Sequence, residues 1–220
     1  MNKTSIFFIL ILIIISCQKK EKIIDFKNEL KGKTFNVMNN ENYPLDFEFK
    51  DSTFVSYQFN ISKGSYEIIK EKDTAFILLN NELCYISQSK NELFDFLLIG
   101  RMYKDTFKLK ERKPTWKLNG LYGKWIEENP TQTELDSLPF YSIEKTGITF
   151  HKKDEQIESK LNVNSSYEYI EINLTHSSTK IETMWRIKNL TDSTMVIDRT
   201  TNSSPIEYGI HNDIKLIKKR

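Results

Sequence analysis

Along most of this chain apolar and polar residues alternate with a period of two, and that restricts its fold more than any other feature. Leu45, Phe47 and Phe49 fall on one face of an extended segment and Asp46, Glu48 and Lys50 on the other, the pattern of a half-buried antiparallel strand. The alternation returns at Val55/Tyr57/Phe59/Ile61, Phe94/Phe96/Leu98, Ile148/Phe150, Ile170/Ile172/Leu174, Ile181/Thr183/Trp185/Ile187, Ile206/Tyr208/Ile210 and Ile214/Leu216. Turn-forming residues punctuate these runs: Lys50-Asp51-Ser52, Ser62-Lys63-Gly64, Asn80-Asn81, Thr146-Gly147, Asn164-Ser165 and Asn212-Asp213. The one short helical candidate, residues 23–30, places Ile23, Phe26 and Leu30 at i, i+3 and i+7. The expected fold is all-β, built as antiparallel meanders.

The sequence also repeats. Leu30-Lys31-Gly32-Lys33-Thr34-Phe35 answers Leu121-Tyr122-Gly123-Lys124-Trp125-Ile126 at an offset of 91, and Leu97, Ile99, Met102, Thr106, Phe107 and Leu109 fall on Trp185, Ile187, Leu190, Thr194, Met195 and Ile197 at an offset of 88. Two tandem units follow, residues 30–112 and 118–220, joined by a short link containing Pro114. An eight-stranded meander needs about 75–90 residues, so each unit is long enough to close into a small barrel. Closure would also remove the exposed strand edges that invite aggregation. The second unit has two strand candidates after Ile197, 205–210 and 213–218, whereas the first offers only Thr115 to Leu118 in the matching place. The first barrel is therefore expected to be incomplete or to borrow a strand from the second.

The first seventeen residues read as a targeting segment: the basic Lys3, an unbroken apolar run from Ile6 to Ile15, then Ser16 and Cys17. Ten apolar residues rise about 15 Å as a helix, half of a bilayer core, which suits a signal peptide and not a membrane span. Ile14-Ile15-Ser16-Cys17 resembles the lipobox of bacterial lipoproteins, with Ile14 in place of the usual Leu. The resemblance implies cleavage of residues 1–16 and acylation of Cys17, palmitate among the acyl chains, with residues 17–29 forming a tether. Two or three such chains make attachment to the membrane effectively permanent. Gln18, where Asp would signal inner-membrane retention, favours the outer membrane in the same scheme. With Cys17 committed to lipid, Cys84 in the apolar run Leu83-Cys84-Tyr85-Ile86 has no disulfide partner and is expected to be a buried core thiol.

In the second unit, Gly123-Lys124-Trp125 at the head of a strand matches the lipocalin Gly-x-Trp, and Trp185-Arg186-Ile187-Lys188-Asn189-Leu190-Thr191 followed by Met195-Val196-Ile197 matches a central hairpin of that family. The unit resembles the lipocalin-like domains of bacterial outer-membrane lipoproteins, and residues 30–112 resemble them more weakly, with Phe35 where Trp is expected. The resemblance implies that Gly123, Trp125 and Trp185 close and pack one end of the barrel and that the lumen admits a small apolar ligand. Lipocalins also place an Arg on the last strand over the Trp; Arg199 matches by type alone.

Composition and motifs narrow the chemistry. A net charge of +2 from 32 basic and 30 acidic residues argues against nucleic acid as a partner. His151, His176 and His211 stand in no zinc-binding arrangement, and His151 and His176 are expected near turns, facing solvent. There is no G-x-S-x-G, and seven glycines leave little for phosphate-cradling loops. Glu127 and Glu128 are expected on opposite faces of a solvated strand end. Asp-Ser/Thr pairs such as Asp51-Ser52 and Asp192-Ser193 resemble a bacterial O-glycosylation site and equally suit hairpin turns. No catalytic, cofactor-binding or metal-binding residue is expected. Two functions fit: an envelope-anchored binding protein for a small apolar ligand, or a non-catalytic accessory module that docks an envelope protein.

Overall fold

The computed structural model describes residues 24–38, 45–90, 93–102, 105–128, 138–153, 155–177, 180–202 and 208–219. Cys17, Ile23 and Ile206 lie outside them. The fold is all-β, two antiparallel barrel-like sheets in tandem. A short helix α1 (Phe26–Leu30) precedes the first sheet, capped by the Asp25 carboxylate, which accepts from the Asn28 backbone and side chain. Phe26 and Leu30, four residues apart, share one helix face and are both buried in the first core.

The first sheet runs β1 (Lys33–Val37), β2 (Asp46–Phe49), β3 (Thr53–Tyr57), β4 (Ile61–Glu71), β5 (Thr74–Leu79), β6 (Glu82–Gln88), β7 (Phe96–Gly100) and β8 (Thr106–Arg112). Each strand pairs with the next, and β8 returns to β1 with Thr34 opposite Arg112 and Val37 opposite Leu109, so the barrel is closed. It borrows nothing: residues 115–117 form no strand and Leu118–Leu121 is a 3-10 turn. The expected shortfall rested on matching strand counts after Leu109 and Ile197, but the eight strands of the first barrel are already complete at Arg112. One turn is also displaced. Ser62-Lys63-Gly64 lies inside β4, and the chain reverses at residues 58–60 instead. Gly64 sits opposite Phe54, whose ring comes within 2.6 Å of where a Cβ would stand, so this glycine allows a close approach and makes no turn.

The second sheet holds β9 (Gly123–Glu127), β10 (Phe140–Ile143), β11 (Gly147–Lys152), β12 (Glu155–Lys160), β13 (Asn162–Val163), β14 (Tyr169–Ser177), β15 (Lys180–Leu190), β16 (Thr194–Asn202) and β17 (Tyr208–Lys219). β17 returns to β9, so the strand order is β12-β11-β10-β9-β17-β16-β15-β14-β13. The sheet wraps until β12 lies beside β14 without forming a ladder, and a hydrogen bond from the Asn173 N–H to Ser159 Oγ, 2.8 Å, spans the gap. It is this second barrel, not the first, that stops short of closure. The two expected C-terminal strands are one: Asn212-Asp213 is a bulge within β17, where Asp213 takes a φ of 57° and its N–H donates to Asp198 Oδ1 at 3.0 Å.

The repeat survives in the architecture with its register altered. Leu30 and Leu121 are both fully buried, and Gly32 and Gly123 both hold positive φ at the foot of a first strand. The first large inward ring is then Phe35 in one barrel and Trp125 in the other, one position out of step with the alignment at 91. Leu109 and Ile197 both point inward, but Ile99 is 37 % exposed where its counterpart Ile187 is buried.

Candidate functional site

Both lumens are occupied by the protein's own side chains. In the first barrel Phe35 lies edge-on to Phe49 and Phe96, Phe49 to Tyr66 and Phe47 to Phe54, with centroids 5.2–5.9 Å apart, while Ile77, Ile86, Leu98 and Leu109 are fully buried around them. Cys84 belongs to this core, and burial first, then Glu82 and Asp105, push its thiol up to about 11. In the second barrel Trp125 and Trp185 are fully buried in one cluster with Tyr141, Ile148, Ile170, Leu174 and Leu216.

The three residues singled out for barrel closure fall at two levels. Trp125, near the foot of β9, donates from Nε1 to the Leu121 carbonyl at 2.8 Å. The Lys218 ammonium lies 5.1 Å from the Trp125 ring centroid and donates to the Gly120 carbonyl at 3.3 Å. Gly123, with φ of 138°, makes room for this lysine, since a Cβ there would stand 2.5 Å from its Cε. The cation over Trp125 is therefore Lys218, not Arg199. Trp185 lies higher, edge-on to Tyr141 with centroids 4.8 Å apart, and its Nε1 donates to Glu182.

Glu182 went unrecognised in the sequence. The alternation Ile181/Thr183/Trp185/Ile187 predicts that it faces outward, but a bulge in β15 shifts the phase, and Glu182 is 1 % exposed within the second barrel. Around it forms a polar chain. Tyr141 Oη donates to Glu182 Oε2 at 3.4 Å and accepts from Arg199 Nη1 at 3.0 Å, and Arg199 also reaches Glu127 at 3.3 Å. Burial, then Glu182, raises the Tyr141 phenol and keeps it neutral. Burial opposes the charge of Arg199, but Tyr141, Glu182 and Glu127 outweigh it. The arrangement satisfies its own charges. Glu127 and Glu128 do face apart, the latter pairing with Lys215 at 3.0 Å.

A second polar cluster lies between the barrels. Asp46 and Glu48, expected on the solvent face of β2, are 0 % and 7 % exposed because that face packs against the second sheet. Tyr169 Oη donates to Asp46 Oδ2 at 2.6 Å; Asp46 Oδ1 accepts from Asn36 and Arg112; Arg112 reaches on to Glu168. Glu48 accepts from Tyr57 Oη at 2.9 Å and from the Ser165 N–H at 2.8 Å, and Tyr57 stacks on Tyr169 at 4.7 Å. Val55 and Met184 complete the apolar part of the seam. Burial raises Glu168 above the usual carboxylate range, with Arg112 opposing.

The histidines are dispersed. His151 lies within β11, half-buried and stacked on Phe140 at 4.3 Å, with Nε2 shielded from solvent, and does not face solvent at a turn as expected. His211 is exposed in β17; the side chain of His176 is outside the described residues. Among the described residues no helix is long and apolar enough to cross a membrane. No protein-family model matches the chain, and searches of curated proteins and of solved structures return no match.

Proposed function

We propose that this protein is a lipid-anchored, non-catalytic module of the cell envelope that works through its outer surface. The observation that supports this most directly is the filling of both lumens by fully buried aromatic and branched side chains, together with a buried seam between the barrels. An eight-stranded barrel is just wide enough for its own side chains, so a lumen packed in this way leaves the exterior as the working surface. The anchor rests on Ile14-Ile15-Ser16-Cys17 and the short apolar run before it. One feature favours the lipocalin-like alternative, a small apolar ligand in the second barrel: β12 and β14 share no ladder, so backbone pairing does not seal the wall of that core there.

Two measurements test the reading. Cys17→Ser is expected to abolish acylation and to release the protein from the membrane fraction, and recovery of the variant in the membrane pellet at unchanged yield overturns the anchor. Titration of the wild type with a fluorescent fatty-acid probe is expected to show no saturable binding. Saturable binding lost on widening or blocking the β12/β14 gap moves the function to the second lumen.

A further inference from the structure

The end of the first barrel where the chain enters, beside α1, carries a hollow of about 370 Å³. Its floor is apolar, formed in part by Ile24, Phe26 and Ile86, the last two buried. Lys70, Lys72 and Lys90 stand around it, all exposed, and Asp73 is the one carboxylate among the described lining residues. Two other lysines near this end do have carboxylate partners: Lys31 pairs with Asp51, and Lys33 with Glu29 and Glu111. None of the three lysines of the hollow takes part in an ion pair among the described residues. The chain as a whole is close to neutral, so this is a local surplus of positive charge over an apolar floor.

We propose that this end of the first barrel is a membrane-facing surface that binds the anionic headgroups of phospholipids. The inference rests on the lipid-anchored reading of Cys17 and adds to it the face that meets the bilayer. The described chain begins at Ile24, which lines the hollow, and Cys17 lies seven residues earlier. Seven residues span at most about 25 Å when fully extended, so an acylated Cys17 keeps the entry end of the first barrel within that distance of the headgroups. Attraction between lysines and an anionic leaflet fades within about 10 Å, less than the reach of the tether, so the tether permits the approach and the three ammonium groups supply the attraction that completes it. Three lysines with an apolar floor suit a headgroup layer that overlies hydrocarbon, and they are too few and too clustered for a nucleic-acid track.

The test uses the mature chain carrying Cys17→Ser, so that no acyl group contributes. It is centrifuged with vesicles of phosphatidylcholine alone and of phosphatidylcholine with phosphatidylglycerol. The protein is expected to sediment with the anionic vesicles only and to be released by added salt. Replacing Lys70, Lys72 and Lys90 by Gln is expected to lower partitioning roughly five-fold per lysine, about a hundred-fold in all, with an unchanged melting temperature. The same change at Lys145, Lys152 and Lys160 of the second barrel is expected to have little effect. Equal sedimentation with neutral vesicles, no sedimentation, or equal losses in the two triple variants overturns the surface. Acylation is read separately, from the mass of the mature wild-type chain: an unmodified Cys17 overturns the anchor, whereas a failed vesicle arm with Cys17 acylated overturns the surface alone.

Discussion

Trp125 gathers contacts of three kinds in the core of the second barrel. Its ring is fully buried, its Nε1–H is satisfied by Leu121, and Lys218 covers it from the last strand, so apolar, polar and charged contacts converge on one residue. Trp125→Ala is expected to cost about 3–5 kcal/mol, a large part of a small domain's stability, read as a lowered melting temperature for the second barrel. Lys218→Ala removes the cation and is expected to cost about 0.5–1 kcal/mol. In the seam, Glu168 gives a pH signature. Its carboxyl is raised in the folded state, so it favours folding below its unfolded value and opposes folding as pH rises through its folded value. Wild type measured against Glu168→Gln is therefore expected to lose relative stability as pH rises above the ordinary carboxylate value. Parallel melting curves for the two proteins across that rise contradict the assignment.

The strand elements differ in how securely they are held. β1 is hydrogen-bonded along both sides, to β2 and to β8, whereas β12 has a ladder on one side and the Asn173–Ser159 contact on the other. Ser159→Ala is expected to cost about 0.5–1.5 kcal/mol and to speed amide hydrogen exchange in β12 and around Asn173, leaving β1 unchanged. Equal protection in both variants would show that the gap is held by other means. Much of this architecture was legible in the sequence. Phe47/Phe49, Ile148/Phe150 and Ile170/Ile172/Leu174 all line lumens as their alternation predicts, and the turns at 51–52 and 80–81 fall where their residues place them. The misses share a cause. Period-two reasoning depends on phase, and a bulge changes the phase without any distinctive residue, which hid Glu182 in β15 and divided β17 in two. Likewise, a face carrying Asp46 and Glu48 reads the same whether water or a second barrel lies against it, so the seam left no mark that one strand could reveal.

At the scale of the whole molecule, the two barrels are joined by groups that cannot face apolar surroundings unpaired. Asp46, Glu48, Arg112, Glu168 and Tyr169 are buried or partly buried, and each finds partners across the seam. Breaking such a set exposes charges that must be rehydrated and leaves others mismatched, which ties the relative placement of the barrels to their folding. In chain order the closed first barrel follows the entering segment directly, and this order has a mechanical meaning. A tethered protein is loaded from one end. A pull arriving at Ile24 meets α1 first, five residues whose Phe26 and Leu30 are seated in the core, and then β1. Tension along β1 must shear two full rows of hydrogen bonds at once, whereas peeling an edge strand breaks them one after another. The helix is the fuse and the doubly flanked strand is the bolt, so under the proposed anchoring the first barrel is the one that bears the strain.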